Sequence, residues 1–376
     1  MSDTYYVSTE QLSVGYNGKP LIEHISIGVR RGEILTLIGP NGSGKSTILK
    51  SMIRELRLIA GTVVLDGSDM AALKEREIAK KLAIVMTERI KGELMSCRDV
   101  AATGRYPYTG RLGLLTKEDR AIVDAAIETV HAQDFADRPF NETSDGQRQR
   151  ILLARAICQQ PEVIVLDEPT SFLDVKHKLE LLDILKNMVR TRNVAVIVSL
   201  HELDLAEKVS DRVVCVANNR IDRCDVPENV FRDDYITALY GVEKGSFNAL
   251  FGTVELKKVQ GEPQVFVIGG GGSGVPVYRA LQRAGVPFAA GVLPENDLDY
   301  PVANALASAL IAVPAFAAID AGSEARADAL MRRVGRVVCP LARFGETNAA
   351  NQRLFETAKK LGILIDPNAA IRGESL

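Results

Sequence analysis

Apolar and polar residues alternate over positions 5–14, a Gly15-Tyr16-Asn17-Gly18 turn follows, and alternation resumes over 21–29. This pattern predicts an antiparallel sheet at the start of the chain. Positions 33–38 form a short apolar strand that runs into a polar, glycine-rich stretch, after which Ile48, Leu49, Met52, Ile53 and Leu56 fall at helical spacing. An amphipathic helix is expected over 117–132, with Ile122, Ala126, Ile127 and Val130 on one face. Helix 146–159 leads into strand 163–166, and helix 178–190 into strand 194–200. Such alternation predicts an α/β core with parallel strands. Residues 212–216 and 220–225, joined through Asn218-Asn219, read as a closing hairpin.

A looser, glycine-containing stretch, 241–263, then precedes a second unit. There strand 265–268 enters Gly269-Gly270-Gly271-Gly272-Ser273-Gly274, a helix is expected around 278–284, and a further strand over 288–293. The expected organisation is a first domain over 1–248 and a small Rossmann-like α/β domain over 262–376. The most apolar stretch, 302–319, contains Asn304, Ser308 and Pro314, so it reads as a buried helix followed by a strand; a spanning helix needs about 20 predominantly apolar residues.

Composition adds limits. The chain has 376 residues, 46% apolar and 25% charged, with net charge -2, so it lacks the basic footprint of a nucleic-acid or anionic-lipid binder. Cys97, Cys158, Cys215, Cys224 and Cys339 are scattered without a CxxC pair, which fits thiols in a reducing compartment. The Met-Ser-Asp-Thr-Tyr start lacks the basic and apolar regions of a secretory signal, so a cytoplasmic location is expected.

Chemistry concentrates at three strand ends. Gly39, Pro40, Asn41, Gly42, Ser43, Gly44, Lys45 and Ser46 match G-x-x-x-x-G-K-[ST], followed by Thr47, between a predicted strand and helix. Glycines let backbone N–H groups approach phosphate oxygens, the helix start favours negative charge, Lys45 can reach β- and γ-phosphates, and the Ser46 hydroxyl can ligate Mg2+. Strand 163–166 ends in Asp167, placed for a Mg2+ shell, and Glu168, placed to polarise an attacking water. His201 ends the following parallel strand and could reach a γ-phosphate at the carboxyl edge.

Together these segments resemble the ATP-binding subunits of ABC transporters over about residues 5–245. Ser144-Asp145-Gly146-Gln147-Arg148-Gln149-Arg150 is similar to the family signature, and Pro169-Thr170-Ser171-Phe172-Leu173-Asp174 to the loop that crosses to a dimer partner. The resemblance implies that His201 is the switch histidine and Tyr16 the adenine-stacking aromatic. It further implies a homodimer that sandwiches ATP between one subunit's phosphate loop and the other's Ser144, Gly146 and Gln147, with Asp174 nearby. Two departures stand out: Met86-Thr87-Glu88 occupies the place of the family's usual Gln, and Asp145 and Thr143 replace the usual Gly and Leu around the signature.

Gly104-Arg105-Tyr106-Pro107 resembles a stretch of the importers of ferric siderophores, haem and cobalamin. That implies a transmembrane permease facing residues 87–112, an extracytoplasmic solute-binding protein, and a position on the inner face of the cell membrane. An exporter subunit, a soluble ABC ATPase and a ligand-sensing regulator are the alternatives. The last is motivated by Gly269-x-Gly271-x-x-Gly274 with Glu295 beyond it, which predicts a small anionic or nucleotide-like ligand at 269–274.

Overall fold

The early alternation folds as expected. β1 (Val7–Tyr16) turns into β2 (Lys19–Ile25) through Asn17 and Gly18, at φ 53° and 74°; two left-handed residues give a hairpin turn whose twist matches the strands. β3 (Gly28–Val29) pairs with the other end of β1, and β4 (Ile34–Ile38), buried at all its positions, leaves this sheet for the central one. The structure, a computed structural model, describes residues 5–86, 95–110, 113–171 and 173–372.

After α1 (Lys45–Met52), strands β5 (Ala60–Leu65) and β6 (Ser68–Asp69) complete the antiparallel sheet in the order β2-β1-β5-β6. α2 (Glu75–Lys81) enters β7 (Leu82–Val85), and a helical layer of α3 (Cys97–Ala102), α4 (Lys117–Thr129) and α5 (Asp145–Cys158) follows. The chain then alternates through β8 (Val163–Asp167), α6 (Val175–Arg192), β9 (Ala195–Ser199), α7 (Leu203–Val209), β10 (Arg212–Ala217), β11 (Arg220–Asp225) and α8 (Pro227–Val230). The six-stranded central sheet runs β11-β10-β4-β9-β8-β7, with β11 antiparallel to β10 and the other pairs parallel. β8 and β9 are buried throughout, as strands covered on both faces must be. One apolar core joins the sheets: Leu12 and Ile22 from the first pack with Leu35, Ile48, Val165 and Ile197.

The Gly104-Arg105-Tyr106-Pro107 turn divides by role. A Cβ on Gly104 would stand 2.1 Å from the Arg155 carbonyl oxygen, so glycine lets the turn lie against α5. Arg105 is buried; its Nε donates to Asp119 (2.8 Å) and its Nη1 to the Cys158 carbonyl (2.8 Å) and Gln160 (3.0 Å). Asp119 also caps α4, and bonds from Thr116, then from Arg105, hold its carboxyl below the ordinary carboxylate range. Only Tyr106, 59% exposed, faces outward. Arg105→Ala strands a buried carboxylate and is expected to cost about 3–5 kcal/mol of stability, read as a lowered denaturation midpoint.

The chain divides after Phe231 into two compact units. The second opens with α9 (Asp233–Leu239) and the hairpin β12 (Gly245–Asn248)–β13 (Thr253–Leu256), inside the stretch read from sequence as first-domain end and linker. Phe247 is buried, and Arg279 pairs with the buried Glu255, which ties the hairpin to this unit. Strand β14 (Val265–Val267), α10 (Val275–Arg283), β15 (Phe288–Pro294), α11 (Tyr300–Leu306), β16 (Ala309–Val313), α12 (Ala321–Val334), β17 (Val337–Val338), α13 (Ala349–Leu361), β18 (Leu364–Ile365) and α14 (Pro367–Arg372) follow. The parallel sheet β16-β15-β14-β17-β18 is covered on both faces. Val265 and Val267 meet Tyr278, Leu281 and Val302 on one side, while Phe266 and Ile268 meet Met331 and Leu354 on the other. The apolar 302–319 stretch is the end of α11 followed by β16, and among the described residues no helix is long and apolar enough to cross a membrane. All five cysteines are free, and burial pushes the Cys158 thiol up to about 12.

Candidate nucleotide site

β4, β9 and β8 are neighbours in the central sheet, so their carboxyl ends bring the three predicted segments to one edge. The loop after β4 needs its glycines: Gly39, Gly42 and Gly44 have φ of 147°, 77° and 101°. A Cβ on Gly39 would lie 2.0 Å from the Val216 carbonyl oxygen. The loop wraps the Lys45 ammonium, which donates to the carbonyls of Gly39 (2.7 Å) and Pro40 (3.1 Å). Burial pushes the Lys45 pKa below its ordinary value, against the pull of Glu168 and Asp167. The buried Ser43 hydroxyl has no hydrogen-bond partner among the described residues, the condition of a donor turned toward a phosphate.

Ser46 Oγ donates to Asp167 Oδ1 (3.1 Å). The same oxygen accepts from Ser199 Oγ (2.7 Å), and Ser199 Oγ in turn accepts from the Glu168 amide (2.8 Å). Glu168 has φ 49°, a left-handed conformation that costs a non-glycine residue about 1–2 kcal/mol, and the Ser199 bond helps hold it. His201 Nε2 lies 2.6 Å from Glu168 Oε1, so that nitrogen carries the proton. Tyr16 ends β1 with its ring half exposed and its hydroxyl 3.1 Å from Thr47 Oγ1, beside the first turn of α1.

Ser144, Gly146, Gln147 and Asp174 lie elsewhere, at the starts of α5 and α6. Ser144 and Gln147 form a reciprocal capping box, and Asp174 caps α6 through the His177 amide. A Cβ on Gly146 would meet Leu173 at an ordinary 3.5 Å, so packing within the chain does not demand glycine there. Thr87, Glu88 and Phe172 lie outside the described residues.

Ser199 is the residue that sequence reasoning missed. It is fully buried and registers opposite Asp167 in the β8–β9 pair; a serine closing an otherwise apolar strand was the available signal.

The amides of the 269–274 loop, expected to hold an anion, are already engaged. Gly270 N (2.5 Å) and Gly274 N (2.8 Å) donate to Asp299 Oδ2, Val275 N to Asp299 Oδ1 (3.3 Å), and Gly271 N to both oxygens of Asp297 (2.9 and 3.0 Å). The chain's own carboxylates hold the amides that an anion would need. A Cβ on Gly269 or Gly274 would approach the Tyr278 hydroxyl within 2.3 or 2.4 Å, so close packing accounts for those two glycines. Glu295 stands apart from the loop, in a cleft with α9 and the hairpin.

A glycine loop enclosing a lysine, an acid pair and a histidine at one sheet edge define a phosphate-loop nucleoside triphosphatase. The profile of the ABC transporter family matches residues 22–171, and that of the MJ0874 family residues 288–372. An ABC transporter ATP-binding protein of Methanocaldococcus jannaschii is 41% identical over 278 residues, 74% of this chain and 96% of the relative. A cobalamin import ATP-binding protein of Halobacterium salinarum is 34% identical over 328 residues, 84% of this chain and 82% of the relative. Among solved structures, a metal-chelate type ABC transporter in an inward-facing conformation shares the fold, with TM-score 0.55, 24% identity, and coverage of 63% of this chain and 89% of that one. The chain belongs to the ABC transporter ATP-binding proteins and is an ATPase of that family.

Proposed function

We propose that this ATPase works with Mg2+ as a homodimer on the inner face of the cell membrane. There it drives a permease that imports a metal chelate, such as a ferric siderophore, haem or cobalamin, delivered by an extracytoplasmic solute-binding protein. The observation that supports coupling to a permease is an open groove of about 440 Å3 beside the 104–107 turn, lined in part by Ile53, Ile78, Ile84, Tyr106 and Pro107. Its lining mixes these apolar residues with Arg54, Glu75, Arg155 and Gln159, and together with the exposed Tyr106 ring it suits a short amphipathic permease helix. The likeness to a cobalamin import protein over 84% of the chain supports the same solute class.

In this reading Lys45 and the loop amides grip the β- and γ-phosphates, and Tyr16 stacks on adenine. The hydroxyl and carboxylate of Ser46 and Asp167, 3.1 Å apart, are the hard oxygen donors that would hold Mg2+, which would supply neutralisation of phosphate charge. Glu168 accepts the proton of the attacking water, and His201 holds that carboxylate in place. Ser144, Gly146, Gln147 and Asp174 serve the partner's nucleotide, and the bare Gly146 position leaves room for it.

Reconstitution with the permease tests the import reading. ATP turnover should rise on assembly and accompany uptake of a labelled ferric siderophore, haem or cobalamin. Tyr106→Glu should weaken permease capture while ATP binding stays unchanged. Turnover without movement of any of the three solutes removes the import assignment and leaves the ATPase.

A further inference from the structure

The second unit holds a cavity of about 310 Å3 that the ATP chemistry leaves unused. Its sheet starts at β14, builds outward through β15 and β16, then crosses back to β17 on the other side of β14. Open parallel sheets take ligands beyond the carboxyl ends of the strands where the order reverses in this way. The cavity sits there, between the start of the glycine loop and the first turn of α13.

Its two walls differ in charge. On the loop side stands Asp297, anchored by the amides of Gly271 and Asp299 and able to accept further bonds. Also lining it are Arg343, which makes no ion pair or hydrogen bond among the described residues, Thr347, and the start of α13. A 3-10 turn over Glu346–Asn348 runs directly into this 13-residue helix; Asn348 accepts from the Gly345 amide (2.7 Å), and Ala349 N donates to the Glu346 carbonyl. A guanidinium beside the start of this helical run favours a negative group. The wall is also fixed in advance: buried Asn351 both donates to and accepts from the backbone of Val292 (3.0 Å each), which pins α13 to the end of β15.

We propose that this cavity binds a small hydroxylated anion. Its phosphate or carboxylate rests on Arg343 and Thr347, at the turn that opens into α13, and a hydroxyl donates to Asp297. The volume equals that of about ten water molecules at roughly 30 Å3 each, enough for a sugar phosphate or sugar acid and too small for haem or a corrinoid. The occupant is therefore distinct from the chelates proposed for transport, and its binding does not depend on the import reading.

The test uses the full chain with ribose 5-phosphate and D-gluconate as probes for the two kinds of anion, and ribose as the neutral control. Affinity is read by calorimetry and location by hydrogen exchange. At least one anion should protect segments 269–271 and 346–351, ribose should not, and Arg343→Gln should weaken binding by about tenfold or more. Arg343 is exposed, so the variant should melt with the parent. The site is refuted if neither anion binds at millimolar concentration, if protection appears only at 39–47, or if Arg343→Gln binds as tightly as the parent.

Discussion

Glu168→Gln is expected to bind ATP with near-parent affinity and to hydrolyse it at least about 100-fold more slowly, the lower range of what a positioned base contributes. Glutamine preserves the volume and can still accept from His201 Nε2, 2.6 Å from the carboxylate. It cannot take a proton from water. Because hydrolysis would release the dimer, the variant should accumulate as an ATP-bound dimer on size exclusion, while phosphate release stays near background. Ser199→Ala supplies the counterpart. It leaves the base in the sequence but removes the hydroxyl that joins the Glu168 amide to Asp167, so turnover should fall about tenfold with nucleotide affinity kept. A Glu168→Gln enzyme that turns over at the parent rate sinks the base assignment; a Ser199→Ala enzyme that does so removes only the positioning role.

Much of the site was legible because its chemistry is local in sequence. The phosphate loop needs left-handed glycines within a few residues of Lys45, and the acid pair closes a strand whose apolar run is plain. Turn chemistry likewise marked the hairpins at Asn17-Gly18 and Asn218-Asn219. Ser199 escaped because its role depends on β8 and β9 lying side by side in register, which joins positions 32 residues apart.

The glycine-rich loop of the second unit misled for a related reason. Its spacing matches a phosphate-binding turn, yet the partners of its amides, Asp297 and Asp299, come from the segment after β15 and lie 25 to 29 residues away. Acids after a strand read as a solvated turn until the fold folds them under the loop. The 241–263 stretch misled in the opposite sense. Its glycines suggested a linker, but Phe247 and Glu255 are buried. A truncation meant to isolate the ATPase therefore belongs near residue 231, since a cut after Gly252 divides the hairpin between Asn248 and Thr253.

Mixed dimers should separate composite from self-contained sites by the pattern of surviving ATP sites. Suppose one subunit carries Lys45→Ala and the other Ser144→Arg. In a composite arrangement both lesions then fall on the same nucleotide, and the second site keeps an intact Lys45 and an intact Ser144. One ATP per dimer should be occluded. With both substitutions on one subunit and a parent partner, each site has one lesion, and occlusion should drop toward none. Self-contained sites give the reverse order, because the parent subunit alone would then keep a working site. The expected contrast is large: loss of the lysine removes charge-assisted phosphate contacts, each worth about 1.5–3 kcal/mol or roughly ten- to a hundredfold in affinity. Ser144→Arg also breaks the cap that starts α5, at about 1 kcal/mol, so Ser144→Ala in the same positions measures the cost of the cap without the bulk. Occlusion is the quantity to measure, since turnover can require both sites even where only one has been damaged.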